Sequence, residues 1–313
     1  MTRVLLTCPP MIGIVDEMRP VFAERGAEIV VPDFVQIVPE AELMTMVPEY
    51  DAWIIGDDPA TAAVLQAGCA GALKACVKWG VGVDNVDFAA AKALKLPISN
   101  TPGVFGDEVA DVAMHYVTGL ARETFVIDRG VRDGGWPKPR GISLRGRTAV
   151  LVGFGDIGRE TAVRMIAAGL TVKVVDPYFA NTIELPVEEA PWPDALANAD
   201  FVVFTCPLTD DTRHMLNAST LAQAPTGLRV VNVSRGPVID EGALIDALAS
   251  GQVHSAALDV FEVEPLPANS PLRDHPHCVF GSHNGSNTAD AVRRVSLRAA
   301  ELLFAGLDEA RGR

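Results

Sequence analysis

The sequence predicts an α/β protein made of two doubly wound, Rossmann-like parallel-sheet domains, and three observations predict it. Short β-rich apolar runs alternate with longer helix-patterned segments along nearly all of the 313 residues. The alternation breaks once, at 123–147, and then starts afresh. The length suits about two domains, each large enough to bury a core without disulfides or a structural metal.

In chain order, RVLLT, EIVVP, AWIIG and ALKACVKWG supply the first set of strands, within 1–100. The second set, within 148–285, is TAVLVG, TVKVVD, FVVFTC, RVVNVS and SAALDVF, with a short CVF after them. Between the sets, segment 107–122 carries Val109, Val112, Ala113, Tyr116, Val117 and Leu120 at helical spacing, with Asp107 as the expected N-cap. The stretch ETFVIDRGVRDGGWPKPRGISLRGR at 123–147 is rich in Gly and Arg and contains Pro137 and Pro139, and it reads as a long connection. There is no internal repeat and no low-complexity linker.

Composition narrows the function classes. Apolar residues make up 49% and charged residues 21%, as in an ordered globular protein. Lys plus Arg number 26 against 40 Asp plus Glu, a net charge of −14 that repels nucleic acid and anionic membrane surfaces. The five cysteines are odd in number and show no CxxC spacing, which points to reduced thiols in the cytoplasm and indicates no metal site. No stretch resembles a signal peptide or a membrane span.

The segment TAVLVGFGDIGRETAVRMIAAGLTVKVVDPY holds Gly153, Gly155 and Gly158 in GxGxxG spacing, with Asp156 and Ile157 inside the loop. A glycine triplet alone is weak. Here an apolar strand enters it, a helix-patterned segment at 157–168 leaves it, and a second strand ends in Asp176. Those parts suit a dinucleotide: glycines let the backbone approach the pyrophosphate, the helix N-terminus meets its charge, and the acid takes the ribose hydroxyls. A carboxylate at Asp176 opposes a 2′-phosphate, and Pro177, Tyr178 and Phe179 bring no arginine, so NAD is the expected cofactor. Arg159 either adds a cation beside the pyrophosphate or is an exposed helix residue.

Three reactive groups follow the later strands: Arg235 after RVVNVS, Glu264 after SAALDVF, and His283 after CVF. Ligands of open α/β sheets bind outside the carboxyl ends of the strands, so these groups are expected at the nicotinamide end of the cofactor. A cation for a carboxylate, a base for a hydroxyl proton and an acid that orients the base fit hydride transfer to or from a 2-hydroxy acid.

With these residues in place, the chain resembles the D-isomer-specific 2-hydroxyacid dehydrogenases, above all the branch of phosphoglycerate dehydrogenases and glyoxylate/hydroxypyruvate reductases. The motifs that carry the resemblance are KWGVGVDNVD (78–87), NTPGVFGDEVAD (100–111), LVGFGDIGR (151–159), VNVSRGPVID (231–240) and ALDVFEVEP (257–265). It implies that Arg235 binds the substrate carboxylate and polarises the keto oxygen, and that Glu264 pairs with His283, the general acid/base. It implies that Asp259 holds the nicotinamide carboxamide, that Cys206 and Pro207 line the adenine pocket, and that Thr212 and Val233 join the cofactor-binding set. Lys78, Val81, Gly82 and Asn284 would contact substrate.

The resemblance also implies a discontinuous substrate domain, 1–98 plus 286–313, an NAD-binding domain at 99–285, a cleft between them, and a homodimer built on the 107–122 helix with the 130–141 arm. Ser282 stands where the family usually has Pro, Lys78 where this branch has Arg, and Phe105 where it commonly has a polar residue.

The substrate expected from these loops is a small unphosphorylated acid such as glycerate/hydroxypyruvate or a sugar acid, because Asp57 and Asp58 oppose a phosphate near Lys78. The alternative is a D-3-phosphoglycerate dehydrogenase. An alternative of another class is an NAD-sensing binding protein on the same fold, which would be expected to carry an interaction tail, whereas this sequence closes at GLDEARGR. A formate-dehydrogenase-like reading would put an amide where Glu264 stands.

Overall fold

The structure is a computed structural model that describes residues 1–34 and 36–312. The chain forms two α/β units, Met1–Val104 with Ser286–Arg313, and Phe105–Gly285. The first boundary falls after Val104 rather than after 98, because the short strand Ile98–Asn100 still pairs within the first sheet.

In the first unit, β1 (Thr2–Leu6), β2 (Ala27–Val30), β3 (Ala52–Ile55), β4 (Ala75–Lys78) and β5 (Ile98–Asn100) form one sheet in the order β2-β1-β3-β4-β5. Every pairing in it is parallel. Both faces of β3 and β4 are buried throughout, as continuous apolar runs in a helix-covered parallel sheet require. Thr61, Asp87 and Thr288 cap the helices Ala62–Ala70, Phe88–Ala93 and Ala289–Arg311. The last of these returns the chain to the first unit. It buries Val292, Val295, Ala299 and Leu303 along one stripe, and its Ser296 Oγ accepts from Trp79 Nε1 at 3.1 Å.

Buried polar groups around this sheet pair with one another. Trp53 Nε1 donates to Thr7 Oγ1 at 2.8 Å, and the Thr7 hydroxyl donates to Asp58. Asp58 also accepts from the backbone N–H groups of Val38 (2.8 Å) and Gly56 (3.2 Å), and burial raises its pKa. The Asp58 carboxylate is therefore a buried tie between loops, not a charge offered to substrate. Thr7→Val should strand the indole N–H and remove one of the two donors to Asp58 Oδ2, which keeps Gly56 N, at a cost of about 1–3 kcal/mol in chemical denaturation. Thr7→Ser should recover most of it.

In the second unit, β6 (Thr148–Val152), β7 (Thr171–Val175), β8 (Val187–Glu189), β9 (Phe201–Phe204), β10 (Leu228–Asn232), β11 (Val253–Leu258) and β12 (Cys278–Phe280) form a seven-stranded parallel sheet. Its order is β12-β11-β10-β9-β6-β7-β8, so the chain winds outward in one direction from β6 and then in the other from β9. The carboxyl ends of β6 and β9 make the switch point at which such sheets bind ligands.

Several local expectations differ from the structure. The helix Gly106–Arg122 takes Phe105, which is buried, as its N-cap residue, and Asp107 lies in its first turn. The Asp107 carboxylate instead pairs with Arg164 at 2.9 Å. Arg164, on the helix Asp156–Ala167, also reaches Asp111 (2.7 Å) and Glu160 (2.9 Å), which locks the two helices together. The 123–147 connection begins with a helix, Thr124–Arg132, and only the remainder lacks regular structure. No helix among the described residues is long and apolar enough to cross a membrane.

Candidate active site

The glycine loop sits at the switch point. Gly153 follows β6 with φ +97°, and a Cβ there would lie 2.7 Å from the backbone nitrogen of Cys206, just beyond β9. A Cβ on Gly158 would lie 2.2 Å from the carbonyl oxygen of Gly153, so the helix Asp156–Ala167 starts in direct contact with the loop. Gly155 differs: a Cβ there would meet nothing within 4 Å. Two glycines thus permit close internal packing while the third leaves open space beside a helix N-terminus, the arrangement a pyrophosphate needs.

Asp176, at the end of β7, accepts from Phe154 N at 2.6 Å and Tyr178 N at 2.8 Å. Those bonds fix its carboxylate beside the loop. Arg159 Nη1 donates to Phe154 O at 3.1 Å, so this partly buried arginine braces the loop from the helix. Ile157 follows Asp156 in the helix's first turn. The Asp156 side chain packs against Gly106, where a Cβ would come within 2.9 Å of it. These donors and this space fit NAD.

Burial pushes the Cys206 thiol up to about 12, so it lines the loop as an apolar group and not as a nucleophile. Thr212 Oγ1 donates to Pro207 O at 2.7 Å and accepts from Thr209 N at 2.8 Å, closing the loop after β9. Val233 is buried directly after β10.

The three reactive residues lie beyond β10, β11 and β12, all at the same edge of the sheet. His283 Nδ1 is 2.8 Å from Glu264 Oε2. The other oxygen of Glu264 accepts from Phe261 N at 3.0 Å, which fixes the carboxylate's direction. His283 has φ +56°, a left-handed conformation costly for a residue with a Cβ, and its backbone N–H donates to Asp259 O at 2.7 Å. Asp259, 4% exposed, accepts from Asn284 N (3.2 Å) and Gly285 N (2.9 Å). Both its oxygens therefore hold the loop that presents His283.

Arg235 follows β10 and its Nη1 donates to Ser234 O at 2.8 Å. Its loop is built by Asn232, whose Nδ2 donates to Arg235 O (2.9 Å) while its Oδ1 accepts from Ser234 Oγ (2.8 Å). Gly236 brings this loop against the Glu264 loop so closely that a Cβ would lie 1.9 Å from the Phe261 carbonyl carbon. Gly281 does the same beside Asp259, whose Oδ1 would be 1.9 Å from a Cβ. Asn232, Gly236 and Gly281 were not singled out from the sequence. The first two lie inside VNVSRGPVID, so the signal was there, but only the fold shows what they press against.

The residues expected to contact substrate from the first unit lie on and after β4. Lys78 is almost fully buried, and its ammonium donates to Gly56 O at 2.7 Å and pairs with Asp57 Oδ1 at 3.1 Å. Of the two acids expected to oppose a phosphate, Asp57 pairs with Lys78 and Asp58 faces the interior. Val81 O accepts from Asn100 Nδ2 at 3.1 Å, and Gly82 follows it, partly exposed.

The description "D-isomer specific 2-hydroxyacid dehydrogenase, NAD binding domain" matches residues 114–285. The hydroxypyruvate reductase of Thermotoga maritima is 37% identical over 269 residues, which cover 84% of this chain and 87% of that protein. The chloroplastic D-3-phosphoglycerate dehydrogenase 3 of Arabidopsis thaliana is 36% identical over 270 residues, 85% of this chain but 46% of that protein, so this chain spans about half its length. The crystal structure of TT0316 protein from Thermus thermophilus superposes with a TM-score of 0.86 at 32% identity, covering 98% of this chain and 97% of that one. The chain belongs to the D-isomer specific 2-hydroxyacid dehydrogenase family and is an NAD-dependent oxidoreductase of that family.

Proposed function

We propose that this protein interconverts a small, unphosphorylated D-2-hydroxy acid and its 2-keto acid, hydroxypyruvate being the leading candidate, with His283, Glu264 and Arg235 as its catalytic residues. The observation that carries the reading is the 2.8 Å pair between His283 Nδ1 and Glu264. A carboxylate at Nδ1 orients the ring, so the reacting proton is given or taken at Nε2. NAD, when bound, supplies or accepts the hydride. In reduction, His283 passes its Nε2 proton to the carbonyl oxygen as that oxygen gains charge, and Glu264 stabilises the ring while it is protonated. Arg235 pairs with the substrate carboxylate and polarises the keto group.

Asp259 holds the 283–285 loop and, in this reading, the nicotinamide carboxamide. The cofactor-binding set is Gly153, Gly155, Asp156, Ile157, Gly158, Asp176, Cys206, Pro207, Thr212 and Val233. Lys78, Val81 and Gly82, in the first unit, which is the proposed substrate domain, and Asn284, in the second, are the proposed substrate contacts. NADH consumption measured with a panel of 2-keto acids tests the proposal, and no turnover with any of them would favour an NAD-sensing binding protein instead. Asp176→Ala should shrink the preference for NADH over NADPH by about tenfold or more in kcat/KM, because the carboxylate that opposes a 2′-phosphate is gone.

The protein is further proposed to be a cytoplasmic homodimer. Support for the first comes from five free cysteines. Support for the second is Trp136, 78% exposed on the arm that follows the helix Thr124–Arg132. A dimer mass in sedimentation at micromolar concentration is the expected result.

A further inference from the structure

At the opposite edge of the second sheet, where β11 and β12 begin, two histidines and a buried carboxylate come together. Glu123 Oε1 lies 3.4 Å from His254 Nε2, and Oε2 lies 3.1 Å from His277 Nδ1. One ligating atom from each residue can be chosen so that all three fall within 4.8 Å of one another. The two separations run to different carboxylate oxygens; a tetrahedral ion with bonds of about 2.0–2.1 Å has ligand–ligand edges of roughly 3.3 Å, so three atoms already within 4.8 Å of one another need only close slightly around it.

The backbone holds the carboxylate in place. Glu123 is the single residue between the helices Gly106–Arg122 and Thr124–Arg132; it adopts φ +56°, and its side chain is 5% exposed. A residue with a Cβ persists in that conformation only where its surroundings require it, and the backbone bend aims Glu123 at the sheet. His254 and His277 are each about one-third exposed, which leaves the cluster a route to solvent.

An independent observation points to a ligand. Glu123 and His277 line a small cavity of about 10 Å³ together with Ser255, which is 1% exposed and whose Oγ has no hydrogen-bond partner among the described residues. That volume holds about one water, and a water on a bound ion would satisfy the hydroxyl. Arg129 lines the same cavity and donates to Pro276 O, and Arg229 acts electrostatically on Glu123 and His254. These cations oppose a second positive charge, so the site needs the strong bonds of an ion that favours imidazole nitrogen.

We propose that Glu123, His254 and His277 bind one divalent transition metal ion of the zinc class, which fastens the junction of the two helices to the starts of β11 and β12. Two imidazoles and a carboxylate select such an ion over Mg²⁺ or Ca²⁺, which prefer all-oxygen sites. The ligands are 131 and 23 residues apart in sequence, so no short motif announces them.

The test uses the full-length protein, stripped with a chelator and titrated with Zn²⁺ against a chromophoric competitor. One Zn²⁺ per chain is expected, with affinity at least about tenfold weaker in His254→Asn and in His277→Asn. Control variants His283→Asn and His214→Asn should bind as the wild type does. Co²⁺ should give the visible bands of a four-coordinate ion in the wild type and lose them in His277→Asn, a readout that does not depend on whether Glu123→Gln folds. Saturating Zn²⁺ should raise the thermal midpoint by about 5 °C at a hundredfold excess over Kd. Substoichiometric binding by the wild type, equal affinity in both histidine variants, or loss of binding in His283→Asn would overturn the assignment.

Discussion

His283→Ala should lower kcat/KM about 10³-fold or more in both directions of the reaction while NADH still binds. General acid/base catalysis by one positioned group contributes about 10²–10⁴-fold. The upper part of that range fits because the Glu264 contact at 2.8 Å fixes the ring in one orientation, and the substitution removes the proton carrier together with that orientation. NADH affinity, followed by fluorescence, should stay within a few-fold, since the glycine loop lies after β6 and the histidine after β12. A drop of less than tenfold in kcat would show that another group handles the proton.

The milder change Glu264→Gln isolates the pairing. A carboxylate beside the ring stabilises its protonated form, and an amide does so far less. Keto-acid reduction consumes the protonated ring, so its activity fades on the alkaline side, and that limb should move to lower pH. Hydroxy-acid oxidation needs the neutral ring, so its acidic limb should move the same way. The amide keeps the side chain's shape and its carbonyl oxygen can still accept from Phe261 N. A merely structural Glu264 would therefore leave both limbs where they are.

Much of this arrangement was legible in the sequence because it rests on local order. The Gly153–Gly158 loop, Asp176 and the three reactive residues each stand at the end of an apolar run, and a parallel sheet brings such ends to one edge. Less legible were features with weak local patterns. β5 and β8 are three-residue strands with no fully buried position, too short for an apolar run to mark them. The helix Thr124–Arg132 buries none of its residues fully and contains Gly130, so its sequence lacks a core stripe. Asp107 resembles a cap in sequence, yet Arg164, 57 residues away, claims it. Pairings such as Lys78 with Asp57, or Glu123 with His254 and His277, depend on which strands are neighbours, which the topology alone decides.

The pairing of Lys78 leads to the second large effect, on substrate class. A phosphorylated 2-keto acid brings a dianion that calls for free positive charge, and across TCPPM (7–11), GDDP (56–59) and KWGVG (78–82) Lys78 is the one basic residue. Its side chain is 4% exposed and its ammonium is already neutralised by Asp57 at 3.1 Å, so a phosphate approaching it meets a dipole rather than a cation. Replacing Asp57 at that contact would cost the protein one charge-assisted bond for each one gained. The expected result is a kcat/KM for hydroxypyruvate at least tenfold above that for 3-phosphohydroxypyruvate, a difference of about 1.4 kcal/mol. Asp57→Asn should release the ammonium and move the ratio about tenfold toward the phosphorylated compound. Lys78→Ala should move it the other way, because it leaves Asp57 as an uncompensated anion. A hundredfold wild-type preference for 3-phosphohydroxypyruvate that vanishes in Lys78→Ala would instead mean that the ammonium exchanges Asp57 for phosphate, and the chain would then act as a phosphoglycerate dehydrogenase.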